Sequence, residues 1–483
     1  MKNPKLFLVL LILLSATACR SKSPDLSQNA MFEKHTELIK YNPAQLNYGM
    51  AVIDLDQDGE FEVLVAGFGF PNLALKWDGR LFQNIADTTL ADTDGMAIGV
   101  GGCDIDADGV EEVYILNTDT FGGKKHFGDR LLDYINKEWI DLFSKPENKS
   151  ITNLTAGRSV VCLDRDGDGK YGIFVASYGG AMKLYEVNSE GRLEDVARKA
   201  HLALVTGGRG LIALPILSDH ATDLFAVNEG GSNYLFRNLG DGTFAEIART
   251  AGVSDPMENG RGVAPIDFNE DGRFDLVYGN WEGAHRLFIQ QADGTFVNIA
   301  DKFFAKPSRV RTVIVADFDN DGYEEIFFNN IGEPNRLFAK RDGKLMPLNP
   351  GDALEPESLG TGGAVGDFNH DGMLELFISH GESGREPISY FRVKPNSNHW
   401  LRVLPLTKYG APARGAVVHL KTADRLQIRA IDAGSGYLCQ MEPVAHFGLG
   451  ATKKVEEITV TWSDGHQKKI FNPDVDQMIK VSY

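Results

Sequence analysis

A chain of 483 residues, 43% hydrophobic and 24% charged, buries more core than one ordinary domain holds and reads as two folded units. Its net charge of −18 excludes nucleic acid and anionic lipid as binding surfaces, because phosphates repel such a protein. Cations or basic partners fit better.

The chain opens on an export signal. Lys2 and Lys5 precede an apolar run from Leu6 to Leu14, and Ser15-Ala16-Thr17-Ala18 leads to Cys19. The run is too short to span a bilayer. Residues 1–19 have the shape of a bacterial lipoprotein signal with Cys19 as the lipidated residue, which would anchor the protein in the cell envelope. Ala16-Thr17-Ala18 also fits ordinary signal cleavage, which would release it. Residues 20–30 are polar and read as a tether. Cys103, Cys162 and Cys439 form no C-x-x-C pair and are expected as buried thiols, a disulfide between two of them being the alternative open to an exported protein.

Residues 31–393 carry a repeat. The pattern Asp-x-Asp/Asn-x-Asp-Gly occurs at Asp54-Asp56-Asp58-Gly59, Asp104-Asp106-Asp108-Gly109, Asp164-Asp166-Asp168-Gly169, Asp267-Asn269-Asp271-Gly272, Asp317-Asp319-Asp321-Gly322 and Asp367-Asn369-Asp371-Gly372. The spacing roughly doubles once, between Asp164 and Asp267. That gap holds a degenerate unit, Ile216-Leu217-Ser218 to Asp223-Leu224-Phe225, which has lost most of its acids. Each unit is expected to form four short strands, as in Gly262 to Ile266, Leu276 to Tyr278, Arg286 to Ile289 and Thr295 to Ile299. Four strands per unit make a propeller blade, so the fold is all-β, a seven-bladed β-propeller, with a solenoid as the competitor. Second strands such as Val63 to Ala66 are apolar throughout, as strands covered on both faces are. Arg130 to Ile135 reads as a helix within a long insertion. The seventh unit runs out of chain before a fourth strand. Met31-Phe32-Glu33-Lys34-His35 resembles the fourth-strand segment Thr243 to Ile247 and is expected to fill that place beside residues 388–393, which would close a ring. Residues 394–483 form a second, small β domain.

Position nine of five loops carries a further acid, Glu62, Glu112, Asp275, Glu325 and Glu375. Two carboxylates about 4 Å apart repel by roughly 4 kcal/mol at an effective dielectric near 20, so four converging acids or amides call for a cation. An oxygen-only ligand set around a glycine turn points to calcium, at up to six sites. An EF-hand is excluded, because position twelve is Val65, Ile115, Tyr278 or Phe328 inside a strand. The Asp164 loop is expected to be the weakest, since Gly172 replaces its ninth-position acid and Arg165 and Lys170 add positive charge.

These loops, with Tyr234-Leu235-Phe236-Arg237-Asn238 and Gly240-Asp241-Gly242-Thr243-Phe244, resemble the FG-GAP/VCBS repeats of integrin α-chain propellers. The tail, with Asn398-His399-Trp400, Ala413-Arg414-Gly415-Ala416, Gly434-Ser435-Gly436-Tyr437, His446-Phe447-Gly448-Leu449-Gly450 and Trp462-Ser463-Asp464-Gly465, resembles the ASPIC/UnbV domain. The combination is similar to the cartilage acidic protein family. That resemblance implies an exported, calcium-binding, non-enzymatic protein that binds an extracytoplasmic protein or glycan. Vertebrate members continue into an EGF-like module whose cysteines this chain lacks, so functions resting on that module are not expected here.

No G-x-S-x-G, H-E-x-x-H or phosphate-binding loop is present. Loop residues Glu282, His285, His380 and Glu382 are the candidates for chemistry if the propeller were instead a periplasmic enzyme acting on carbohydrate or with a cofactor. A partner is expected on the face away from the acidic loops. Trp281 and His285 lie there, as do Arg158, Arg209, Arg261 and Arg311, which precede their first strands at equivalent places and should form an arc. Such an arc could hold a carboxylate or phosphate. The competing reading pairs those arginines with local acids such as Asp94, Glu258 and Glu357.

Overall fold

A computed structural model describes residues 30–341 and 343–483. The signal segment with Cys19, and tether residues 20–29, lie outside the described residues.

Seven four-stranded antiparallel sheets follow one another along the propeller. In the first, Asn47–Ile53, Glu62–Gly67, Leu73–Trp77 and Phe82–Asn84 run outward from the axis. The third and fourth blades are joined into one eight-stranded sheet, because Gly172–Ala181 continues past its own blade to pair with Val205–Leu214. Second strands, among them Glu112–Asn117, Asp223–Asn228 and Glu325–Asn330, are buried along their whole length between neighbouring blades. Burying one such Val, Leu or Phe contributes roughly 1.5–3 kcal/mol, which accounts for their unbroken apolar sequences.

The ring closes as the sequence leads one to expect. Phe32–Lys34 pairs antiparallel with Ser389–Val393, Phe32 opposite Val393 and Lys34 opposite Phe391. The innermost strand Gly360–Gly366 of the seventh blade then packs beside Asn47–Ile53 of the first.

Two expectations fail. Arg130–Ile135 is a strand, the third of blade two, and turns through Asn136 and Lys137 at positive φ into Glu138–Asp141. Leu131 and Leu132 are both buried there, a demand that one sheet sandwiched between two others makes and a one-sided helix does not. Cys103 and Cys162 are not thiols but a disulfide, with Cα atoms 5.6 Å apart. They lie on the neighbouring innermost strands Ala97–Cys103 and Gly157–Leu163, where the closeness of adjacent blades near the axis brings them within bonding range. Cys439 is a buried free thiol.

The innermost strand of every blade carries a β-bulge near its start, shown by a break in register around Tyr48, Ile98, Arg158, Arg209, Arg261, Arg311 and Thr361. A bulge re-aims one side chain out of the pleat.

The last propeller strand ends at Val393 and the next begins at His399. The C-terminal domain has two sheets. His399–Pro405 lies between Ala445–Gly450 and Gln477–Val481, and Val417–Lys421 pairs with Leu426–Ala430 and Glu457–Thr461, the latter edged by Gln467–Phe471. Leu401, Val403, Val418, Phe447, Ile458 and Val460 fill its core.

Candidate metal centres and the axial cavity

Each acidic loop joins the first strand of a blade to the second. Its geometry begins with the glycine at position six, whose φ lies between 75° and 96° in Gly59, Gly109, Gly169, Gly272, Gly322 and Gly372. This left-handed turn lets the glycine N–H donate to the first aspartate of its own loop, for example Gly59 to Asp54 at 3.0 Å and Gly322 to Asp317 at 2.9 Å. The ninth-position acid opens the second strand, and one of its oxygens accepts the N–H of the second loop residue. Leu55 donates to Glu62 and Ile105 to Glu112 at 2.7 Å, and Phe368 donates to Glu375 at 2.8 Å. The other oxygen of Glu62 and of Glu112 is buried without a hydrogen bond, whereas that of Asp275 accepts the Gln290 N–H at 2.8 Å. In the degenerate fourth unit Asp223 instead accepts from Leu217, Ser218 and Asn238, which leaves that loop satisfied without an ion.

The six loops differ in what completes them. In the first, Asp54, Asp56 and Asp58 bring carboxylate oxygens within 4.8 Å of one another. Lys76, on the third strand, reaches in and pairs with Asp56 at 2.6 Å, Asp58 at 2.5 Å and Glu62 at 3.3 Å. Burial opposes the Lys76 charge, but these carboxylates outweigh it and raise its pKa. Burial pushes Asp54 up to about 6 and Glu62 up to about 8. Loop six has the same plan: Asp317, Asp319 and Glu325 cluster, and Arg341 pairs with Asp319 at 3.1 Å, Asp321 at 3.0 Å and Glu325 at 3.2 Å.

Loop two is built differently. Asp104, Asp106 and Asp108 cluster, and Asp106 and Glu112 also meet Asp133 from the third strand. Five carboxylates converge, and among the described residues no lysine or arginine forms an ion pair with them. Glu112 Oε1 and Asp133 Oδ1 are buried without a hydrogen-bond partner. Burial raises Asp104 to about 7, Asp133 to about 6 and Glu112 well above the carboxylate range.

The other three loops are partly occupied by the protein's own groups. Asp164, Asp166 and Asp168 cluster in loop three, where Ser463 of the C-terminal domain donates to Asp164 at 2.5 Å and Arg165 bonds Glu186 while staying 3.9 Å from Asp166. In loop five Asn269 donates to Asp271 at 2.7 Å, Arg273 also pairs with Asp271, and burial lifts Asp275 to about 7. In loop seven Arg402 of the C-terminal domain donates to Asp367 at 3.1 Å, Asn369 bonds to Glu375, and Asp371 accepts from the Met373 N–H at 2.9 Å. Sequence reasoning missed Lys76, Asp133, Arg341 and Arg402. The first three stand at varying distances along the chain from their loops, so no fixed spacing exposes them.

The C-terminal domain sits on this acidic face. Arg414 bonds Glu111 through Nε at 2.5 Å and Nη2 at 3.2 Å, Arg429 pairs with Glu324 at 3.1 Å, and His446 bonds Asn320 at 2.6 Å. From it residues 433–441 enter the axis of the ring and bond to every blade. Gln440 exchanges hydrogen bonds with Met50 and Val52 of blade one, and its side chain bonds Gly102 of blade two. Cys162 donates to Ala433. Arg209 donates to the Tyr437 hydroxyl at 2.9 Å, Gly436 pairs with Val263, Tyr437 N–H donates to Thr312, and Gly363 N–H donates to Cys439 Sγ. Only glycine fits at two of these approaches: a Cβ on Gly49 would stand 2.1 Å from the Leu438 oxygen, and one on Gly436 2.3 Å from Thr312 Oγ1.

The opposite end of the axis is open. A cavity of about 270 Å³ lies there, floored by Tyr437 and Leu438 and walled by side chains from the bulges. The arginine arc exists. Its acid partners are not Asp94, Glu258 or Glu357 but Glu229, which pairs with Arg209 and with Arg261 at 2.8 Å, and Glu382, which pairs with Arg311 at 2.6 Å. Glu258 serves Arg286 instead, at 2.9 Å. Arg158 has no carboxylate partner among the described residues; it bonds the Gly157 and Phe121 carbonyls and lies over the Phe121 and Tyr178 rings. Trp281 is held between Arg261 and Arg311, their guanidiniums 5.3 and 4.5 Å from its ring. His285 is fully buried, bonded to Asn280 N–H and Ser308, and burial lowers it to about 3, so it cannot touch a partner. His380 is likewise buried and bonded to Glu355, and Glu282 pairs with Arg309, so these residues and Glu382 do not converge on one point.

A model of the FG-GAP-like repeat matches residues 216–278 and 267–328, and one described as ASPIC and UnbV matches residues 407–483. The chain is 48% identical over 482 residues to Cartilage acidic protein 1 of Homo sapiens, a match that covers 92% of this chain and 73% of that protein. The Mus musculus protein is 48% identical and the Xenopus tropicalis protein 46%, each match covering 92% of this chain and 74% of the relative. Blades, acidic loops and capping domain thus stand together in one chain, and the chain belongs to the cartilage acidic protein family.

Proposed function

We propose that this protein is an exported, calcium-stabilised scaffold that binds an extracytoplasmic protein or glycan on the propeller face away from its C-terminal domain. Loop two carries the calcium reading. Five carboxylates converge there with two buried oxygens unpartnered and, among the described residues, no cationic side chain paired to them, a state that strong mutual repulsion disfavours until a hard divalent ion enters. Oxygen ligands alone, on a loop turned by Gly109, suit Ca²⁺ rather than zinc. The Cys103–Cys162 disulfide supports export, since such bonds persist in oxidising compartments. An N-terminal lipid on Cys19 would tether the scaffold to the envelope. Binding rather than catalysis is favoured by the structural engagement of His285 and His380 and by an axial cavity lined with arginine and aromatic groups.

Thermal melts with calcium and with chelator test the reading. Calcium should raise the midpoint by mass action, and Asp133→Asn should lose part of that rise. A wild-type midpoint indifferent to calcium refutes it.

A further inference from the structure

We propose that the axial cavity opposite the acidic loops binds a small organic carboxylate carrying an apolar body. The inference takes its face from the scaffold reading and adds the chemistry of the ligand.

Six of the seven bulges set the composition of the wall, and Arg261 at the remaining one stands behind it, paired with Glu229 and beside Trp281. Blades three to six place Arg158, Arg209, Arg261 and Arg311 at the bulge, whereas blades one, two and seven place Tyr48, Ile98 and Thr361. One side of the ring is therefore cationic. The other is mainly apolar, with Tyr48, Ile98 and Phe68 beside the Thr361 hydroxyl, while Phe121 lies against Arg158 and Arg209. Three of the four guanidiniums share two carboxylates, Arg209 and Arg261 on Glu229 and Arg311 on Glu382, and Arg158 has none among the described residues. Asp119, which also lines the cavity, is taken up by His126 through its backbone N–H at 3.0 Å and its ring at 2.8 Å. Arg209, Arg261 and Arg311 are each at least nine-tenths buried, and each leaves its Nε–H without an acceptor. Buried donors of this kind are costly unless an acceptor reaches them, and a planar carboxylate matches the guanidinium fork. The divided wall selects against a wholly polar anion, which would leave the apolar half facing water.

Tyr437 reports on the site. Burial raises its phenol, but Arg209, Arg158, Arg311 and Arg261 outweigh that and bring it to about 8. Tyr48, Tyr178, Asp119, Glu229, Glu382 and the Cys439 thiol are the other titratable groups near it among the described residues. A bound carboxylate would offset the guanidinium charge and raise the phenol's pKa. Near pH 8 binding must then take up a proton, and affinity must fall as the pH rises through that value.

The test is calorimetric titration of the full mature chain in calcium with phenylacetate, hexanoate, acetate and inorganic phosphate. Phenylacetate and hexanoate should bind, with acetate and phosphate about tenfold weaker or more. Arg158→Gln should weaken phenylacetate about tenfold to a hundredfold, with a fall in melting temperature limited to the loss of its bonds to the Gly157 and Phe121 carbonyls, because no carboxylate loses its partner. Phenolate absorbance at about pH 8 should fall on binding, and Tyr437→Phe should abolish that change. Failure of both apolar carboxylates to bind overturns the proposal and leaves calcium-dependent stability, and with it the scaffold reading, standing. Phosphate binding as tightly as phenylacetate, or binding indifferent to both Arg158→Gln and Arg311→Gln, overturns it as well.

Discussion

Replacing Lys76 by Gln removes the ammonium that the first acidic loop keeps at its centre, and should make that loop a tighter calcium site. Lys76 lies 2.5–3.3 Å from Asp56, Asp58 and Glu62, where the ligands of an ion would converge. An ion seated there would stand about 5 Å from the ammonium, and a double charge at that separation is repelled by roughly 2 kcal/mol at the dielectric of water and roughly 7 at an effective value of 20. The Lys76 side chain is 21% exposed and can swing outward, so the lower figure governs. About 2 kcal/mol corresponds to roughly thirtyfold in affinity. Calorimetric calcium titrations of wild type and Lys76→Gln should differ by one tightened site, and adding Asp56→Ala to the variant should remove it. Equal titrations, or a weaker site in Lys76→Gln, would refute the idea that the lysine competes with the ion.

Phe32 packs edge-on against Phe318, Phe327 and Phe391 at 4.9, 6.2 and 6.5 Å and is 1% exposed, so Phe32→Ala should cost about 3–5 kcal/mol. Denaturant unfolding measures it, and a loss below about 1 kcal/mol would show that the ring does not depend on its N-terminal strand. Breaking the Cys103–Cys162 bond by Cys103→Ser with Cys162→Ser should cost about 2–4 kcal/mol, and non-reducing peptide mapping of the wild type should recover the linked pair; two free thiols there would contradict the pairing.

The blades were legible because their punctuation is local. Each Asp-x-Asp/Asn-x-Asp-Gly loop needs a left-handed turn at its glycine, and six of them mark the joints between first and second strands. Asp223 marked the seventh because it keeps its loop-closing work after its neighbours lost theirs. Arg130–Ile135 misled because two adjacent leucines between polar residues suit either period, and only the hairpin through Asn136 and Lys137 decides for a strand. The arginine arc was visible as equivalent positions. Its acid partners were not, since Glu229 and Glu382 lie on connections whose path only the fold determines. The segment 433–441 carries no periodic signal, because its residues bond to seven different blades, Gln440 and Tyr437 to more than one each.

That segment has a consequence for the order in which the molecule can assemble. Seven blades made in sequence remain around a hollow hub until residues 433–441 arrive to bond with each of them, and the outermost strand of the seventh blade is supplied by the first residues of the propeller. Both ends of the chain must be present before the middle is complete. Such long-range closure makes folding slow and late, as non-local topologies are. A nascent chain cut at residue 393 would hold every blade strand yet expose Met50, Val263 and Thr312 backbone and side-chain groups along an empty axis. If the chain crosses a membrane unfolded, as the proposed export requires, this timing would keep it export-competent until synthesis ends and would leave truncated copies open to proteolysis.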